Sequence, residues 1–124
     1  LSEGVPDPKM ILVRISAQKI RLDDALPHGL GARGLIKIDV EEAELMAFNG
    51  MPRILASKPT IILESFNPIL CDKIDALIQP LGYHIYQIDE GAGQLRSMGR
   101  VTAAVSGSGS NNQILSQEPL PEVI

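Results

Sequence analysis

Apolar residues along the chain alternate between short β-branched runs and one long stretch with helical spacing. Residues 60–64, Thr-Ile-Ile-Leu-Glu, read as a buried strand that ends in a carboxylate. Residues 35–40 read the same way; their Ile and Val content suits burial on both faces, and Asp39 and Glu41 close the run. Residues 10–15 and 83–88 are further strand candidates, and 112–116 a last short one. Between 60–64 and 83–88, Leu70, Ile74, Leu77, Ile78 and Leu81 recur at i, i+4, i+7, i+8 and i+11, which predicts a helix with one core-facing stripe. Asn67 and Pro68 open it and Gly82 ends it. A second helix is predicted over 42–48, with acids in its first turn and Asn49-Gly50 at its end; residues 51–56 add another turn. Residues 22–26 form a single turn stopped by Pro27.

Strand, helix, strand, helix, strand in this order implies right-handed crossovers, an α/β fold and a mainly parallel sheet. Residues 1–9 have the composition of a flexible lead-in, 10–118 of one domain, and 119–124 of a tail. The Ser/Gly run 106–110 reads as a flexible loop.

With 124 residues the chain is one small domain, and 44% hydrophobic with 3% aromatic residues suits an aliphatic α/β core. A net charge of -4 and a pI near 5.1 argue against nucleic acid or an anionic membrane as partner. No apolar run is long enough for a membrane span, and no signal peptide is legible. The single Cys71 cannot form an internal disulfide, which fits a reducing, cytoplasmic compartment. The first residue, Leu1, hints at a processed product or a truncated reading.

Ligands of open α/β sheets sit beyond the carboxyl ends of parallel strands, so Asp39, Glu41 and Glu64 are the leading site candidates. Glu42 and Glu44 read as helix surface. Lys37 lies inside an apolar strand, where a bare charge is costly; it either pairs with a carboxylate or reaches the rim. Asp23 reads first as the cap of its own turn. Gly29-Leu30-Gly31-Ala32-Arg33-Gly34 spells a dinucleotide fingerprint in the wrong context, because it enters a strand and opens no helix. His28 and His84 have no Cys or carboxylate at metal-ligand spacing, so no metal site is expected. Cys71 reads as inert packing. A phosphoacceptor role for Asp39 in a receiver-type domain lacks the acidic pair on an earlier strand and the Lys ending a later one.

Leu22-Asp23-Asp24, then Ile36-Lys37-Ile38-Asp39-Val40-Glu41 with Glu44, then Pro59 through Glu64, then Leu81-Gly82-Tyr83 resemble, in order and spacing, the recurring pieces of FkbM-type methyltransferases. Asn112-Gln113-Ile114-Leu115 is similar to that family's closing strand. The resemblance runs over about residues 10–118. It implies the C-terminal half of a doubly wound, Rossmann-like sheet with an antiparallel last strand. It also implies S-adenosylmethionine as cofactor and methyl transfer to a hydroxyl of a small molecule or glycan. Asp39, Glu41 and Glu64 would then be the catalytic candidates, Lys37 a substrate contact and Asp23 a weak cofactor contact. Glu42 stands where the family usually has Gly, so a positive φ there would strain the turn. The family's first strand and Gly-rich cofactor loop have no counterpart before residue 10. The alternative is a non-catalytic or partner-dependent module, since losing the first strands leaves 35–40 as a bare apolar sheet edge open to self-association.

Overall fold

The computed structural model describes residues 12–31, 33–105, 107, 109 and 111–122. One five-stranded sheet carries the fold: β1 (Leu35–Ile38), β2 (Thr60–Glu64), β3 (His84–Asp89), β4 (Gln94–Ser97) and β5 (Asn112–Ser116). The spatial order is β1-β2-β5-β3-β4. The expected lead-in 1–9 lies outside the described residues. So do residues 10 and 11 of the expected first strand; residues 12–15 join no strand, and Leu12, Val13 and Ile15 are exposed.

The α/β class is as expected, but the sheet is not mainly parallel by its neighbouring pairs. β1 and β2 are the parallel pair, whereas β2–β5, β5–β3 and β3–β4 are antiparallel. The cause is where the closing strand goes. β1, β2 and β3 share one direction, and β5 inserts against them between β2 and β3. β4 had no sequence signal, because Gln94 and Arg96 alternate with a single buried Leu95.

Among the described residues four helices accompany the sheet: α1 (Leu22–Ala25), α2 (Glu44–Asn49), α3 (Pro52–Ala56) and α4 (Pro68–Ile78), the last followed by a 3₁₀ turn over Gln79–Leu81. Asn67 caps α4, its Oδ1 accepting from the N–H groups of Ile69 at 2.9 Å and Leu70 at 3.2 Å. Gly82, at φ 72, ends the 3₁₀ turn in the left-handed region open to glycine. The core joins Ile38, Ile61, Leu63, Ile85 and Leu115 of the sheet to Phe48, Met51, Ile54, Cys71, Ile74 and Ile78 of the helices. Leu77 departs from the predicted stripe and is exposed; Cys71 takes its place.

This layering covers one face of β1 and β2 and leaves the other open. Ile38, Ile61 and Leu63 are buried under the helices, while Leu35 and Lys37 on the opposite face are exposed. β1 is therefore not buried on both faces as its composition suggested, and it forms one edge of the sheet. The segment after β4 closes the far side of α4. There Val101 N–H donates to Asp75 Oδ1 at 2.9 Å, and Arg100 pairs with Asp72. Gln113 of β5, buried, holds Thr102 by both its amide atoms, at 2.8 and 2.6 Å. The Tyr83 hydroxyl donates to the Pro59 carbonyl at 2.7 Å, and burial pushes its pKa up to about 12. The expected tail is tied down in part: Leu120 N–H donates to the Tyr86 hydroxyl at 3.0 Å, and Glu122 O accepts from Leu95 N–H at 2.6 Å.

Candidate functional site at the carboxyl end of the sheet

The register of β1 on β2 places Lys37 beside Ile62 and Ile38 beside Leu63. Carried one residue further, it sets Asp39 and Glu64 at the same end of adjacent strands. By strand alternation both follow the face of Lys37 and Ile62, the face the helices leave open. Asp39 and Lys37 are exposed and Glu64 is half-buried. Glu64 is also paired in register with Asn112 of β5, whose first residue lies at this same end because the strand runs the opposite way.

Glu41 goes elsewhere. The chain turns sharply after β1, with φ of 29 at Glu41 and 71 at Glu42, both in the left-handed range that costs an L-residue roughly 1–2 kcal/mol. The turn brings Glu41 and Glu42 together with Glu44 and Phe66 around a cavity of about 150 Å³; neither Asp39 nor Glu64 lines it. Glu42 is steadied by Asn67, whose Nδ2 donates to its Oε2 at 3.0 Å, so the residue that caps α4 also clasps the acidic turn. The positive φ at Glu42 is what a glycine would adopt freely. Glu42→Gly is therefore expected to stabilise the fold by about 0.5–1 kcal/mol. The relieved strain exceeds the added unfolded-state entropy and the loss of one exposed hydrogen bond. A urea titration reads this as a higher midpoint at constant slope; a lower midpoint would show that the Asn67 clasp outweighs the strain.

Glu44 corrects a sequence expectation. It opens α2, but its side chain is buried, 3% exposed, and its Oε2 meets no donor. α2 packs against α4 and turns Glu44 inward, so the side chain is buried where a surface position was expected. Three buried side-chain oxygens among the described residues lack a partner, Glu44 Oε2, Asn111 Oδ1 and Asn112 Oδ1, and a fourth, Ser65 Oγ, meets only the weakly bonding Cys71 thiol. All four belong to residues at or next to the carboxyl end of β1 and β2. Buried polar atoms are nearly always hydrogen-bonded, to protein or to ordered water, so their concentration at one end of the sheet makes that end the candidate for polar contacts. Sequence reasoning missed Ser65 and the two asparagines. No periodicity exposes a polar residue just past a strand. Cys71 lies beneath this region, buried; desolvation pushes its thiol pKa up and the nearby Glu44 carboxylate adds to that, which suits packing and not nucleophilic chemistry.

Asp23 serves the backbone of another helix, not its own turn. Its Oδ2 accepts from Arg53 N–H at 2.8 Å and its Oδ1 from Ile54 N–H at 3.0 Å, in the first turn of α3. With both oxygens so engaged, Asp23 has a structural task. The Gly-x-Gly-x-x-Gly stretch, of which Ala32 lies outside the described residues, leads into β1 and no helix, as its context predicted. His28 and His84 are exposed. Among the described residues no group of three or more His, Cys, Asp or Glu side chains is placed to hold a metal ion, and no helix is long and apolar enough to cross a membrane.

A larger cavity, about 520 Å³, runs along the free edge of β1. Its walls are mostly apolar: Ile20, Leu22, Ile36, Ile38, Val40 and Met51.

A family model described as the methyltransferase FkbM domain matches residues 5–85 of the 124-residue chain. The chain belongs to this family. The match takes in α1 through the start of β3, and with them Asp23, Lys37, Asp39, Glu41 and Glu64; the closing strand lies beyond it. No curated protein and no solved structure matches the chain.

Proposed function

We propose that this chain forms the acceptor side of an S-adenosylmethionine-dependent O-methyltransferase that acts on a hydroxyl of a small molecule or glycan. The family match carries the proposal, together with the register that sets Asp39 beside Glu64 at the carboxyl end of the β1–β2 pair. The shared direction of β1, β2 and β3, with β5 inserted antiparallel, supports reading the sheet as the C-terminal half of a Rossmann-like methyltransferase. The described residues do not form a cradle for the cofactor. Their one Gly-x-Gly-x-x-Gly stretch enters a strand, and Asp23, the cofactor candidate, has both oxygens bound to backbone.

What these residues do in the proposal concerns the acceptor alone. Asp39, exposed at the strand end, takes the proton of the acceptor hydroxyl. Glu64 holds a second hydroxyl or keeps the acceptor oriented. Lys37, two residues back along the same face, contacts the acceptor from below. Glu41 stands at the rim of the neighbouring cavity.

The test is transfer of a labelled methyl group from S-adenosylmethionine to sugars and polyols, by the chain and by any longer translated product that contains it. Label in a hydroxyl acceptor is the expected result. Cofactor binding with label only on nitrogen or carbon would overturn hydroxyl transfer. No cofactor heat from either form would return the chain to the non-catalytic alternative, which the apolar cavity beside β1, the end strand among the described residues, favours.

A further inference from the structure

The cavity of about 150 Å³ between the acidic turn and the β2–α4 connection is walled by three carboxylates, Glu41, Glu42 and Glu44, and by the half-exposed ring of Phe66. Glu44 is the deepest, 97% out of solvent, with an oxygen that meets no donor. A buried carboxylate oxygen without a donor is costly, so the position is built to be completed from outside the chain. No Lys or Arg lines the cavity, and the ion pairs among the described residues, Arg96–Asp89 and Arg100–Asp72, lie elsewhere. Glu42 has one partner, the neutral Asn67 amide. The negative charge at this place is therefore left for a ligand to balance.

Two observations decide which cation fits. The carboxylates are not arranged as a metal cluster. A hard cation also prefers oxygen ligands all round, and an aromatic ring supplies none. Carboxylates beside an aromatic ring suit an organic ammonium, which donates hydrogen bonds to the former and is attracted by the π electrons of the latter. The hollow has ample room for an ammonium head group and the carbon that bears it.

We infer that Glu44, with Glu41 and Phe66, binds the ammonium group of an amine-bearing acceptor, an amino sugar or amino alcohol whose hydroxyl would lie toward Asp39. The inference rests on the proposed acceptor role for its substrate class. The binding it predicts needs no methyl donor, and the two are tested apart.

Glucosamine titrated into the chain, followed by amide chemical shifts, is the direct probe, with glucose and N-acetylglucosamine as uncharged controls of similar shape. Millimolar binding of glucosamine, at least tenfold tighter than either control, is expected. Glu44→Gln should weaken it tenfold or more. Phe66→Leu, at a position 43% exposed and so safe for folding, should weaken it several-fold. Equal binding of glucosamine and glucose, retention of full affinity in both variants, or no binding of glucosamine would overturn the inference. Failure of methyl transfer with glucosamine bound would count against the proposed reaction and leave the ammonium site standing.

Discussion

Phe48→Ala is expected to cost about 3–5 kcal/mol, the largest loss of any single truncation on the helical face. Phe48 is 1% exposed and is the one residue through which α2, only six residues long, reaches the core fully. A helix of that length has negligible stability of its own, so it is held by what it buries. The loss is a large part of the roughly 5–15 kcal/mol available to a domain. It also has a local consequence, because α2 carries Glu44 and anchors the turn that holds Glu41 and Glu42. Urea unfolding measures the cost, and Met46→Ala on the outer side of the same helix is the control. Met46 is 54% exposed, and its truncation should stay within about 0.5 kcal/mol. Similar losses at both positions would mean that α2 is not seated as described.

Much of this arrangement is legible in the sequence where local and tertiary demands agree. The Asn67-Pro68 start and the Ile74, Ile78 rhythm fix α4, because the cap and the apolar stripe call for the same helix. The strands 35–38 and 60–64 are legible from β-branched content, and their shared direction follows from the helices between them. What escaped depends on partners distant in sequence. The insertion of β5 between β2 and β3 is a choice of edge that periodicity cannot express. Leu35 and Lys37 are exposed because no element among the described residues covers that face, and a strand's own composition cannot report what lies above it.

The site divides the same way. The strand-end carboxylates Asp39 and Glu64 could be proposed from pattern alone. The burial of Glu44 could not, since an acid in a first helical turn is ordinary surface chemistry until another segment packs over it. The strain at Glu42 is legible in the sequence only through its resemblance to a family that has Gly there. The left-handed φ of 71 supplies its physical meaning.

Asp23→Ala should lower the melting temperature by roughly 3–8 °C at neutral pH, through the loss of a helix cap contributed from a distance. Removing the carboxylate leaves the Arg53 and Ile54 N–H groups at the start of α3 without acceptors, and α3 buries Ile54 and Leu55. It also loosens Arg53, whose guanidinium donates to the carbonyls of Pro27 at 2.5 Å and Asp23 at 2.6 Å and so staples α1 to α3. The pH dependence separates this role from simple packing. Burial works against the charged form of Asp23, but the two backbone donors and the Arg53 charge outweigh it, and the pKa lies below the ordinary carboxylate value. The folded state thus releases this proton more readily than the unfolded chain. Its contribution is complete above the ordinary Asp pKa of about 3.9 and fades as the pH falls through the depressed folded value. The melting curves of wild type and Asp23→Ala should therefore stand apart at pH 7 and converge toward pH 3. Asp23→Asn, which keeps one acceptor oxygen, should fall between them at neutral pH. A gap that stays constant from pH 7 to pH 3 would show that the carboxylate is not the cap of α3, and would free Asp23 for a ligand.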